Sequence, residues 1–321
     1  MRGPALWSRD GVIPALLSPF SPVTAALTAR RLRKPGWQAA APVVCCGNAT
    51  VGGSGKTPLC LDILTRLRAR GIDAHALSRG HGGAIRGPHR VHRFRDTAKL
   101  VGDEALLLAA IAPCWIGADR AETAREALMA GAEALIMDDG LQNPTLNKNL
   151  SILVIDGASG FGNGRLLPAG PLREPVATAA ARCQAAVMIG PDNEQALAML
   201  PPSLPVFRAV MAPGAGMHAL AGQRVVAFAG IGRPDKFFAT LIEAGVVMAE
   251  QIAFSDHHRY TTAALANLRR RAIAARAVLV TTRKDFVRLP FGWRAGITPL
   301  DAGLAWRDEA AFDALLRLWC P

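Results

Sequence analysis

Residues 50–57 read TVGGSGKT, a glycine-rich run closing on a lysine and a threonine, and few stretches of this length restrict a fold so tightly. The apolar run Pro42-Val43-Val44-Cys45-Cys46 precedes it, and the apolar-periodic Pro58-Leu59-Cys60-Leu61-Asp62-Ile63-Leu64 follows, so the glycines occupy a strand-to-helix turn. In that setting Gly52, Gly53 and Gly55 let backbone N–H groups converge, Lys56 adds a mobile positive charge, and Thr57 offers a hydroxyl to a magnesium ion. The run departs from G-x-x-x-x-G-K-[ST] in carrying Thr50 where the first glycine belongs. A chance GKT in an ordinary loop is the competing reading. The flanking strand and helix favour a phosphate cradle made by Thr50, Val51, Gly52, Gly53, Ser54, Gly55, Lys56 and Thr57, and therefore a nucleoside triphosphate.

Beyond the turn, strand-like and helical runs alternate. Strands are expected at 42–46, 72–77, 113–116, 133–137, 151–155, 185–189 and 205–210, with helices at 56–70, 102–111, 119–130 and 192–200. Such alternation gives an α/β fold, a P-loop NTPase-like mostly parallel sheet sandwiched by helices. A break at Ala212-Pro213-Gly214-Ala215-Gly216 precedes a restart: strands at 224–229, 247–253 and 277–281, helices at 234–244 and 261–274. The sequence therefore divides into a segment 1–38, a nucleotide-binding unit 39–216 and a smaller α/β lobe 217–321 that closes over a cleft.

Composition narrows the partners. Half the residues are hydrophobic and 19% are charged, so the chain buries a large interior, while a net charge of +12 favours anionic partners. Nucleotide, nucleic acid and an acidic membrane surface all qualify on charge, but a single tyrosine and no aromatic-interleaved basic stretch argue against nucleic acid. The six cysteines form no C-x-x-C pair and read as small core residues in a reducing compartment. Gly11 to Ala29 carries no charge and runs into Arg30, Arg31, Arg33 and Lys34. Pro14, Pro19 and Pro22 argue against a spanning helix, so an interfacial anchor on anionic lipid is expected, with a helix packed on the protein as the alternative.

Several groups could carry chemistry. The strand-like run 133–137 ends in Asp138-Asp139, as a Walker B strand delivers an aspartate to magnesium; paired aspartates also form simple turns. Asp103 opens a helix in Val101-Gly102-Asp103-Glu104 and is either an N-cap or the carboxylate that orients or deprotonates an attacking hydroxyl, with Glu104 a further candidate near the metal. In Asp256-His257-His258, neighbours on an extended chain point opposite ways, so one imidazole is usable. The loop 160–175, rich in glycine and proline, carries Arg165 and Arg173 and suits a phosphate clamp or a structural crossover.

In order, GNATVGGSGKTP, SRGHGG, VGDE, MDDGLQN, GNGRLLPAGPLREP, FAGIGRPDKFF, FSDHHRYT and TTRKD resemble the tetraacyldisaccharide 4′-kinase family over about residues 43–286. The resemblance implies phosphorylation of the 4′-hydroxyl of an anionic acylated disaccharide by ATP and Mg2+, with no obligate protein partner. It also implies a place at the cytoplasmic face of the inner membrane and a membrane-associated N-terminal helix. Carried over residue by residue, it puts Lys56 on the β/γ-phosphates, Thr57 and Asp138 around magnesium, and Asp103 as base or hydroxyl-orienting group. His257, with His258 left open, would pair with Asp103, and Asp139, Gln142 and Arg173 would lie near the acceptor or the transferring phosphate. His81 stands where the family pattern has tyrosine, and Ala49 where it has leucine. The rival is a membrane-cycling ATPase switch of the MinD type, but Val51 occupies the position of that class's signature lysine.

Overall fold

A computed structural model describes residues 7, 10–52 and 55–320; Gly53 and Ser54 of the expected phosphate cradle lie outside the described residues. The strands are β1 (Val43–Gly47), β2 (Ala74–Ser78), β3 (His89–Arg90), β4 (Cys114–Ile116), β5 (Ala134–Asp138), β6 (Leu150–Asp156) and β7 (Ala185–Ile189), then β8 (Val206–Pro213), β9 (Arg224–Ala229), β10 (Val247–Ala253), β11 (Val278–Thr282), β12 (Ile297–Leu300) and β13 (Ala302–Trp306). They build two sheets. The larger has the order β13-β8-β7-β6-β1-β5-β2-β4-β3 and is parallel except for β3 and β13 at its edges; the smaller, β10-β9-β11-β12, is parallel throughout.

The central strands β1, β2, β5 and β7 are buried along their whole length, as a sheet covered on both faces requires, which is why they are mostly apolar; β2 buries His75 and Ser78 as well, and β5 ends in Asp138. Pairing of β1 with β5 sets Cys46 opposite Asp138, so the chain leaves β1 for the glycine-rich turn beside that carboxylate. Parallel strands send their C-terminal ends to one edge, and the loops there form the site.

Two expectations change. Residues 192–200, expected as a helix, hold only the 3₁₀ turn Ala196–Met199, tied down by Asp192 accepting from the Ala196 and Leu197 amides. The second lobe does not run to the C-terminus: its sheet ends at Leu300, and the chain then returns to the first sheet as β13, antiparallel to β8, and as the helix Glu309–Trp319. Phe312 and Leu316 of that helix are fully buried in the core containing Leu59, Ile63 and Leu67 of the helix Lys56–Ala69. Arg66 on the latter binds Glu309 and Asp313, each at 2.8 Å.

At the other end, Val12–Leu17, the 3₁₀ turn Ser18–Phe20 and Ser21–Leu32 follow one another with little interruption. Pro19 and Pro22 fall in first-turn positions, where the missing N–H costs nothing, so the prolines do not break the rod. One side docks on the loop after β6: Ser21 Oγ donates to the Leu166 carbonyl at 3.0 Å, Thr28 Oγ1 to the Arg173 carbonyl at 3.3 Å, and Arg165 binds Asp10 at 2.6 Å. Val12, Ile13, Leu16, Phe20, Val23 and Leu27 are all exposed, and helical spacing gathers them on one stripe.

Candidate active site

Gly55 stands at φ +83°, a conformation that disfavours side chains, and a Cβ there would come within 2.5 Å of Ile189 Cδ1; it lets the helix Lys56–Ala69 begin hard against β7. Lys56 is largely buried at the first turn. Its Nζ donates to Asn48 Oδ1 at 3.1 Å and to the Gly52 carbonyl at 3.3 Å, and lies 3.6 Å from Asp139. Thr57 Oγ1 donates to Asp138 Oδ2 at 3.0 Å, joining the glycine-rich turn to the end of β5. The other Asp138 oxygen, Oδ1, is buried without a hydrogen-bond partner among the described residues. Burial pushes the Asp138 carboxyl up to about 7, with the charge of nearby Glu104 adding to the effect and Lys56 opposing it. An inward carboxylate oxygen lacking a partner, a threonine hydroxyl and a second acid close by make a donor set that fits magnesium, which binds through one or two carboxylates and nucleotide phosphates.

Asp139, at φ +53°, turns away from β5 and meets Arg173, which grips it through both terminal nitrogens at 3.1 and 3.2 Å. Burial works against its charge, but Lys56 and Arg173 prevail and hold it below the usual carboxylate range. Gln142 accepts from Arg173 at 3.1 Å and donates to the Asn48 carbonyl and to Glu174, which in turn holds Arg182 at 2.8 Å. The backbone of the same loop pairs with the glycine-rich turn: Val51 N–H donates to the Pro171 carbonyl and Arg173 N–H to that of Ala49. Thr50 bridges to Leu172.

Asp103 begins its helix after Gly102, whose φ of +86° and 2.5 Å approach of a hypothetical Cβ to the His81 carbonyl exclude a side chain there. Its carboxylate points across to the second sheet. His257 Nδ1 lies 3.3 Å from Oδ2, Lys284 Nζ 4.0 Å, and Arg288 donates from both Nε and Nη2. Burial opposes the charge, yet the His257 contact and the Arg288 and Lys284 charges outweigh it and keep the carboxyl well below its usual range. The two histidines separate, but through a turn with His257 in the left-handed region rather than by alternation along an extended chain. His257, at φ +57°, faces Asp103, whereas His258 stacks on Phe254 at 4.5 Å and edges Tyr260 at 5.0 Å.

The described residues among the sequence-derived candidates thus gather at one edge of the large sheet, with Glu104 beside Asp138 and His257 supplied by the smaller sheet. Arg288, Asn48 and Arg120 were not among them. Arg120 is fully buried at a helix start, donates through Nη1 to the Gly117 carbonyl and leaves Nε without a partner among the described residues; burial pulls its value down to about 10 against the fields of Asp138 and Asp139. Asn48 had a signal, its place eight residues before Lys56 in GNATVGGSGKTP, whereas nothing in the local sequence marks Arg120, whose charge acts on Asp138 and Asp139 from a distant position in the chain. Arg288 had one signal, its four-residue spacing from Lys284.

A parallel sheet delivering lysine, threonine and a strand-end aspartate to one edge, with a further carboxylate facing a separate lobe, defines a P-loop phosphotransferase. The sequence pattern of the tetraacyldisaccharide-1-P 4′-kinase family matches residues 13–319. The tetraacyldisaccharide 4′-kinase of Gluconobacter oxydans is 51% identical over 319 residues, covering 99% of this chain and 98% of that protein. That of Gluconacetobacter diazotrophicus is 52% identical over 321 residues, with the same coverage. Among solved structures, the "apo" form of LpxK from Aquifex aeolicus in complex with ATP superposes with a TM-score of 0.74 at 24% identity, covering 96% of this chain and all of the other; at that identity the likeness speaks for the fold. The chain belongs to the tetraacyldisaccharide 4′-kinase family.

Proposed function

We propose that this chain transfers the γ-phosphoryl group of ATP to the 4′-hydroxyl of tetraacyldisaccharide 1-phosphate, giving lipid IVA in lipid A biosynthesis. The observation that carries the proposal is the convergence of Lys56, the Thr57–Asp138 pair and Asp103 on one sheet edge in a chain of this family. The ATP bound by the Aquifex aeolicus relative supports the nucleotide.

In this reading Lys56 exchanges its contacts with Gly52 and Asn48 for the β- and γ-phosphates. Thr57 and Asp138, with Glu104 nearby, would hold magnesium, which would supply charge neutralisation for the transferring group. Asp103 takes the proton of the 4′-hydroxyl as the new O–P bond forms and the bond to the β-phosphate oxygen breaks, releasing ADP. His257 lies beside that carboxylate, its Nδ1 3.3 Å from Oδ2. Arg173, Asp139 and Gln142 form one hydrogen-bonded unit beside the lysine and fix the charge around the transferring group.

For the membrane, the exposed stripe from Val12 to Leu27, with Arg30 and Arg31 at its end, suits a helix lying in the headgroup region at the cytoplasmic face of the inner membrane. Val12–Leu32 is long and apolar enough to cross a bilayer, but Ser21 and Thr28 tie its other side to protein, which favours a peripheral seat. No finding favours the ATPase switch.

The deciding experiment incubates Mg-ATP with tetraacyldisaccharide 1-phosphate in detergent and compares wild type with Lys56→Ala and Asp103→Ala. Acceptor-dependent bisphosphate formation, lost by on the order of 10²-fold or more in both variants, is the expected result. ATP hydrolysis that ignores the acceptor but responds to membranes refutes the proposal.

A further inference from the structure

Arg288 uses every hydrogen it has. A guanidinium carries five N–H donors in a rigid plane. Here Nε and one Nη2 hydrogen go to Asp103 Oδ2, the other Nη2 hydrogen to His257 Nδ1 at 3.0 Å, and the two on Nη1 to the Gly230 carbonyl at 3.0 Å and to Asp285 Oδ1 at 3.2 Å. The side chain is 7% exposed, so these bonds are shielded from competing water.

Its anchors belong to the smaller sheet. Gly230 follows β9, and Asp285, fully buried, accepts from Thr282 Oγ1 at 2.7 Å, from Gly230 N–H at 3.0 Å and from Tyr260 Oη at 2.9 Å. The guanidinium therefore reaches Asp103 from a frame that leaves it little freedom. Because arginine only donates, His257 Nδ1 accepts from it, and one cation sets the angle of both the imidazole and the carboxylate. The two carboxylate oxygens become unlike. Oδ2 is occupied, whereas Oδ1, among the described residues, carries only the Glu104 N–H at 3.1 Å and keeps capacity for another hydrogen bond.

We propose that Arg288 is a positioning residue for phosphoryl transfer: it fixes the Asp103 carboxylate and His257 in one geometry across the two sheets, so that Asp103 Oδ1 faces the acceptor hydroxyl. This rests on Asp103 receiving the proton of that hydroxyl. An ordinary ion pair between lobes predicts something different, a change in stability without a change in turnover per folded enzyme.

The test measures kcat and KM in the detergent assay for Arg288→Ala, Arg288→Lys, Asp103→Ala and the double variant Asp103→Ala/Arg288→Ala, with folding checked by binding of a fluorescent ATP analogue. Misplacing a reacting group by about an ångström costs on the order of 10² in rate, so kcat of Arg288→Ala should fall by about that factor. KM for ATP should stay within about twofold, because the phosphate cradle is built on the larger sheet alone. Lysine should restore part of the rate. Since Arg288 acts through Asp103, the double variant should be no slower than Asp103→Ala.

Losses that multiply in the double variant, or an Arg288→Ala enzyme at the wild-type kcat beside a crippled Asp103→Ala, overturn the proposal and leave the role of Asp103 standing. An Asp103→Ala enzyme at the wild-type rate instead removes the role of Asp103, and the proposal falls with it. Should the alanine variant fail to fold, Arg288→Gln, which keeps two donors but loses the charge and the fork, takes its place in the same cycle under the same criteria.

Discussion

Replacing Phe312 by alanine tests whether the last turn of chain is part of the nucleotide-binding unit. Its ring has no exposed surface, stacks on Trp306 of β13 at 3.9 Å and meets Phe207 of β8 edge-on at 5.5 Å. Emptying such a position costs about 3–5 kcal/mol, the lost transfer energy plus the cavity left behind. With unfolding entropy of about 2.1 cal/mol/K per residue, a chain of 321 residues melting as one unit should lose roughly 4–7 °C in Tm. The melt is followed by circular dichroism with and without ATP, since the same core holds the helix that begins at Lys56. A loss below about 1 °C, or a melt in which only an ATP-insensitive transition moves, would mean that residues 302–319 are not packed on the larger sheet and would refute the argument.

Two further outcomes are expected. Asp103 is held below its unfolded value of about 4, so the stability it contributes is complete above that pH and is lost as pH falls through the native value. The Tm advantage of wild type over Asp103→Asn should accordingly shrink between about pH 5 and about pH 2.5, and a gap that stays constant would contradict the assignment. In the N-terminal helix, Leu16 and Phe20 are 70% and 61% exposed, so Leu16→Asp/Phe20→Asp should leave Tm unchanged. Burying such side chains is worth about 1.5–3 kcal/mol each, so the pair should weaken binding to anionic vesicles by about 10²- to 10⁴-fold; unaltered binding would show that the stripe is not the contact.

The sequence carried the sheet well because its strands are short apolar runs bounded by turn residues, and a parallel sheet leaves few alternatives for joining them. It failed where destination mattered more than pattern. Asp308 caps a helix whose Phe312 and Leu316 announce a buried face, but periodicity does not say which sheet that face covers, so the return of β13 and Glu309–Trp319 to the larger sheet was not legible. Residues 192–200 contain apolar positions at helical spacing, yet the Asp192 side chain takes up amides that a helix would use, and only one 3₁₀ turn forms. In the site, Lys56, Thr57 and Asp138 could be read because each sits at a fixed offset from a turn or strand end. Arg288 had only its spacing from Lys284 and Asp285 to mark it, because Gly230 and His257 are distant in the chain and Asp103 reaches it only through packing of the two sheets.

Residue 173 joins three things at once: its carbonyl receives Thr28 of the N-terminal helix, its amide donates to Ala49 at the start of the glycine-rich turn, and its guanidinium grips Asp139. No slack linker separates the anchor from the chemistry. Were the helix seated in a bilayer as proposed, the height of the transferring phosphate above the lipid plane would be a constant of the protein. An acceptor would have to lift its sugar to that height while its acyl chains stayed behind, and the enzyme would select for headgroups able to stand that far proud of the surface.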